Sequence, residues 1–129
     1  MADAPLSTHP AERLHPNAKP GRTLPLEPLE ATVAAAFTIS RRALRARTRR
    51  SARTALARQT AMYLAHVVFG LSLTEVGQAF DRDRTTAAHA CRTMEALRDD
   101  PHLDRLLMRL ERACIAAQQQ AHEGRCANV

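Results

Sequence analysis

The chain of 129 residues and 14.2 kDa is long enough for one domain with a core and too short for two, which excludes a multidomain enzyme. Nineteen basic residues against 13 acidic ones give a net charge of +6 and a pI near 10.5, and 18 of the 19 are arginine, Lys19 being the exception. The planar guanidinium pairs bidentately with phosphate and with guanine, so the expected partner is anionic, nucleic acid above all.

Six of the seven prolines (Pro5, Pro10, Pro16, Pro20, Pro25, Pro28) lie in the first 28 residues. Each removes a hydrogen-bond donor and turns its predecessor away from helix, so residues 1–27 are expected to form a disordered tail and the domain to span 28–120. Leu29, Val33, Ala36 and Phe37 recur at helical spacing and predict a first helix ending near Thr38, with a short helical piece at Ser40 to Leu44. Leu64, Val67, Val68 and Leu71 mark a central helix over about 55–69, stopped by Gly70 in a left-handed position.

Ser72, three residues before Glu75, predicts a capping box that opens a two-turn helix with Leu73, Val76 and Phe80 on its inner side. The segment Asp81-Arg82-Asp83-Arg84 is too polar to continue that helix. Asp83 is instead a good N-cap for a new one, from Arg84 to about Arg98, with Ala87, Cys91, Met94 and Leu97 as its buried stripe. Pro101 starts the last helix, which runs to about Gln120 with Leu103, Leu106, Leu107, Leu110, Cys114 and Ala117 on one side and Arg105, Arg109 and Arg112 on the other. Residues 121–129 read as a frayed tail. No repeat and no strand pattern is present, and the expected class is all-α: a helical bundle containing a helix-turn-helix.

Between Arg41 and Arg58 stand eight arginines (41, 42, 45, 47, 49, 50, 53 and 58) and no acidic residue. Such a block repels itself unless phosphates neutralise it. Taken alone it reads as a solvated basic stretch; leading into a helix-turn-helix, it reads as a basic arm, an arrangement that addresses both grooves of DNA. Insertion of the second helix into the major groove brings Asp83, Arg84, Thr85 and Thr86 to base edges, with His89 and Arg92 within reach of the backbone. The competing readings are a half-buried His89 packing between helices and ordinary capping chemistry for Thr85 and Thr86.

The runs Arg58-Gln59-Thr60-Ala61-Met62-Tyr63-Leu64-Ala65, Leu71-Ser72-Leu73-Thr74-Glu75-Val76-Gly77-Gln78-Ala79-Phe80, Asp83-Arg84-Thr85-Thr86 and His89-Ala90-Cys91-Arg92 resemble the C-terminal DNA-binding domain of the bacterial replication initiator DnaA. The resemblance covers about residues 29–112, and the chain is also similar to the DNA-binding half of activators of gene-transfer-agent clusters. It implies a domain of about six helices that engages a short asymmetric box as a monomer. By matching position it implies base contacts from Arg50 in the minor groove and from Thr74, Asp83, Arg84, Thr85 and Thr86 in the major groove. Phosphate contacts fall to Arg47, Arg49, Arg58, Gln59, the Leu73 amide, His89 and Arg92.

Three departures qualify the resemblance. The family's Gly-Gly-Arg-Asp-His-Thr-Thr turn stands here as Asp81-Arg82-Asp83-Arg84-Thr85-Thr86, one residue shorter and with Arg84 in place of histidine, so a different recognised sequence is expected. Thr74 replaces a proline that touches bases. None of the glycines 21, 70, 77 and 124 opens a GxxxxGK[ST] phosphate loop, so the chain is not expected to bind nucleotide or to act as an initiator by itself.

Duplex DNA is favoured over single strands or RNA, because Phe37, Tyr63, Phe69 and Phe80 are the only aromatics and offer few stacking platforms. Cys91, Cys114 and Cys126 lack CxxC spacing, which argues against disulfides and zinc and for a reducing cytoplasm near the nucleoid. The apolar stretch from Ala61 to Leu73, interrupted by His66 and Gly70, is too short for a membrane span. Neither an enzyme nor a cofactor is expected: Cys91 and His89 fall on different helix faces, and no carboxylate pair shares a pocket. The expected function is a DNA-binding transcriptional activator, with RNA polymerase or another regulator as a further partner. The alternatives are a modulator of replication occupying initiator boxes and a protein-interaction module acting through the last helix.

Overall fold

Helical periodicity is realised as six helices, with no strand among the described residues, which are 26–46 and 51–127 of this computed structural model, less the side chains of 122 and 124–127. The expected all-α class is the class found. The helices are α1 (Glu27–Phe37), α2 (Arg41–Arg45), α3 (Ala52–Val67), α4 (Leu73–Ala79), α5 (Arg84–Leu97) and α6 (Pro101–Ala127). Four of the starts carry side-chain caps three residues ahead: Ser40 accepts from Ala43 N, Ser51 from Thr54 N, Ser72 from Glu75 N and Asp83 from Thr86 N.

The core gathers around α3. Leu29 and Val33 of α1, Leu44 of α2, Ala57, Ala61 and Leu64 of α3, Val76 of α4 and Ala87 of α5 are wholly buried. Each full Leu or Val burial contributes about 1.5–3 kcal/mol against the chain entropy of folding. The inner side of α5 is Ala87, Ala90, Cys91 and Met94, and its small leading residues let it lie closely on α3 and α4. Helix α6 packs on α1 with Leu107, Leu110 and Cys114 buried, so the apolar stripe read from the sequence serves the core.

The junction of α5 and α6 is pinned by Arg98. Its Nε donates to Asp104 Oδ1 at 2.6 Å and its Nη1 to Glu111 Oε2 at 2.7 Å and Tyr63 Oη at 3.0 Å, with the guanidinium 5.9 Å from the Tyr63 ring centre. The Glu111 and then the Asp104 hydrogen bond push the Arg98 pKa above its ordinary value.

Several boundaries differ from the sequence reading. Helix α1 starts at Glu27, because Pro28 in the first turn needs no donor, and Leu26 just ahead of it is buried. Ala36 is exposed; Glu30 and Ala34 take its place on the buried side of α1. The central helix begins at Ala52, where Ser51 caps it, and ends at Val67; Gly70 does adopt the left-handed conformation, φ 74°, but beyond the helix end. Val67 and Leu106, both expected to be inside, are 44% and 41% exposed. Helix α6 continues through Ala127 instead of ending near Gln120. The run of Gln, Ala and Glu there favours helix, and a lone Gly124 costs only about 1 kcal/mol.

Candidate nucleic-acid interface

The turn between α4 and α5 is built by local chemistry and one close approach. Ser72 and Glu75 close the expected capping box, with Ser72 N donating to Glu75 Oε1 at 2.8 Å and Glu75 N to Ser72 Oγ at 3.1 Å. After Phe80 the chain reverses through Asp81 in the left-handed region, φ 57°, and Arg82 N donates to Gly77 O at 2.7 Å. A Cβ on Gly77 would stand 2.6 Å from Arg82 O, a backbone atom, so only glycine lets the turn fold back this tightly. Asp83 then caps α5, taking Thr86 N at 2.8 Å, and the Thr86 amide and hydroxyl hold its carboxyl below the usual carboxylate range.

Between α3 and the beginning of α5 lies an open groove of about 570 Å³. One wall is α3, with Arg58 and Gln59; the other carries Asp83, Thr85, Thr86, His89 and Arg92. Seven of the residues singled out in the sequence therefore line one concavity. Asp83, Thr85, Thr86, His89 and Arg92 are exposed, so His89 does not pack between helices. Arg84, the first residue of α5, is exposed beside the groove without lining it. Leu73 and Thr74, half-buried in the first turn of α4, stand outside its lining, and Arg47, Arg49 and Arg50 lie outside the described residues.

Arg58, expected at a phosphate, is held by backbone carbonyls on the groove wall. It is 7% exposed, and its Nε donates to Leu44 O at 3.0 Å while Nη2 reaches Ala46 O at 2.9 Å and Ala43 O at 3.3 Å. These carbonyls end α2, where a helix leaves acceptors without intrahelical donors and favours a cation. Arg41 and Arg45, also of the basic block, bond Glu30, a fully buried carboxylate on α1. The block is thus partly neutralised from inside the domain. Glu30, Gly77 and Arg82 carry this arrangement; the last two stood inside the quoted segments without an assigned role, and the sign for Glu30 was an acidic residue in phase with the α1 stripe.

Cys91 is buried, and desolvation pushes its thiol up to about 11, while His89 points outward. The pair offers no nucleophile and base at neutral pH. Among the described residues no group of three or more His, Cys, Asp or Glu could hold a metal ion, and no helix is long and apolar enough to cross a membrane.

The family model "Bacterial dnaA protein helix-turn-helix" matches residues 27–94, more than half of the chain, from the first turn of α1 to the last buried residue of α5. The chain belongs to this DnaA helix-turn-helix family. The match includes both walls of the groove and the turn that joins α4 to α5, and membership supports DNA binding. Helix α6 lies beyond the matched segment of the DnaA-type domain, although its buried face completes the same core.

Proposed function

We propose that the chain is a sequence-specific, duplex-DNA-binding regulator that activates transcription, engaging a short asymmetric site as a monomer. The observation that supports this reading most is the groove. A helix-turn-helix of the DnaA type presents exposed Asp83, Arg84, Thr85 and Thr86 at the first turn of α5, with Gln59, His89 and Arg92 flanking them for the phosphates. Thr74 and the Leu73 amide at the start of α4, and Arg47, Arg49 and Arg50 of the basic arm, belong to the same proposal through the family resemblance.

Selection from a random duplex library, followed by affinities for all single-base variants of the selected site, tests it. Wild type prefers a guanine opposite Arg84, since an arginine pairs with guanine O6 and N7 for about 1–3 kcal/mol of discrimination. Arg84→Ala relaxes that one position and leaves the others nearly intact. Equal affinity for every duplex sinks the specific reading, and preference for a matched RNA replaces it. Genome-wide mapping then separates promoter sites from origin boxes. Occupancy confined to the origin converts the activator into a modulator of replication.

A further inference from the structure

The helix-turn-helix is fastened from outside itself at one acceptor. Ala46, the residue after α2, offers its carbonyl to two guanidiniums: Arg58 Nη2 from α3 at 2.9 Å and Arg82 Nη2 from the α4–α5 turn at 2.9 Å. A carbonyl has two lone pairs, so both bonds form together. The Nη1 of Arg82 meanwhile donates to Phe80 O at 3.3 Å and Asp81 O at 3.1 Å, the carbonyls of the turn, and Arg58 Nε holds Leu44 O. Three elements, α2, α3 and the turn, therefore meet at Ala46.

We infer that Arg82 is a positioning residue for base recognition: it ties the turn to the end of α2 and thereby sets the angle at which the first turn of α5 meets DNA. The inference rests on the DNA-binding reading above. Arg82 donates to backbone carbonyls of two elements, a span that the planar fork of arginine covers and a lysine ammonium does not. Gly77 O takes the Arg82 amide, so main chain and side chain of one residue both hold the turn. A small tilt of α5 matters unequally for DNA. Base-edge hydrogen bonds demand narrow geometry, whereas attraction to phosphates tolerates displacement.

The test compares the full wild-type chain with Arg82→Lys and Arg82→Ala, the lysine variant keeping the charge and guarding against a folding failure. Binding to the selected site and to a scrambled duplex of equal length is measured across a salt series, and amide exchange at Asp83 to Thr86 is measured without DNA. Expected are a fall of about tenfold in the ratio of specific to scrambled affinity in both variants, as for one misaligned bidentate base contact. Salt slopes stay unchanged for both, and exchange at the α5 start is faster. Wild-type specificity in Arg82→Lys together with a slope reduced by about 0.9 in Arg82→Ala marks a phosphate contact and overturns the inference. Unchanged exchange in both variants overturns it too. A wild-type chain without sequence preference defeats the functional reading, and exchange in the free protein still decides whether Arg82 holds the turn.

Discussion

Glu30 of α1 and Arg45 of α2 form an ion pair whose acidic member is wholly buried. Arg45 Nε donates to Glu30 Oε2 at 2.9 Å and its Nη2 shares that oxygen, while Arg41 Nη2 takes Oε1 at 3.3 Å. The Glu30 hydrogen bond raises the Arg45 pKa above its ordinary value, and the Arg45 guanidinium also lies 6.0 Å from the centre of the Phe80 ring. A block that looks uniformly basic in the sequence thus packs around a carboxylate supplied from another helix.

The pair is asymmetric, and so are the expected mutational costs. Arg41 and Arg45 are 48% and 50% exposed and regain water when Glu30 is removed, so Glu30→Gln costs about 1 kcal/mol. The double variant Arg41→Ala with Arg45→Ala strands a buried carboxylate and costs about 3–5 kcal/mol. Urea denaturation at neutral pH measures both, and the reverse order refutes the neutralising role of the arginines.

Gly77→Ala inverts a familiar rule. In an ordinary helix interior alanine is better than glycine by up to about 1 kcal/mol. Here the added Cβ meets the Arg82 carbonyl at 2.6 Å, and the turn must shift, so the variant is destabilised by about 1–3 kcal/mol. Because that shift carries Asp83 with it, specific DNA affinity falls even at temperatures where the variant stays folded. A Tm equal to or above wild type contradicts the close packing of the turn.

Arg58 and Arg92 separate structural from electrostatic arginines. Arg58→Met leaves the buried carbonyls at the end of α2 without their donor and costs about 1–3 kcal/mol in stability, with little change in the salt slope of DNA binding. Arg92→Ala, at an exposed position on the groove wall, spares stability and lowers the slope by about 0.9. Salt titrations and thermal melts on the two variants check this, and an exchange of the two patterns returns Arg58 to the phosphates.

Asp83 gives the α5 start an acid sensitivity. Its carboxyl titrates below the usual range because it accepts from Thr86, so the native state binds that proton less readily than the unfolded chain. Its stabilisation is complete at pH values above the ordinary carboxylate pKa and is lost as pH falls through the lowered native value. Asp83→Asn also caps but does not titrate there, so acid unfolding of the variant lacks this component. Parallel acid melts that superimpose exclude a role for the Asp83 charge.

The starts of α2, α4 and α5 were legible in the chain because caps are local, whereas the Ser51 cap of α3 went unread. Ser40, Ser72 and Asp83 each bond an amide three residues on, a contact that the sequence order itself guarantees once the helix forms. The buried stripe of α5 was legible for a similar reason, its period being a property of the helix. Burial on α1, on the contrary, turns toward Glu30, because the two arginines that neutralise it come from α2. Long side chains are the general case of this difficulty. A guanidinium reaches any acceptor that folding brings near, and the partners of Arg58, Arg82 and Arg98 lie up to 36 residues away in sequence. The same holds for the groove: Gln59 and Arg92 face one concavity because α5 packs on α3, and helix-helix packing is a matter of complementary surfaces that no local pattern records.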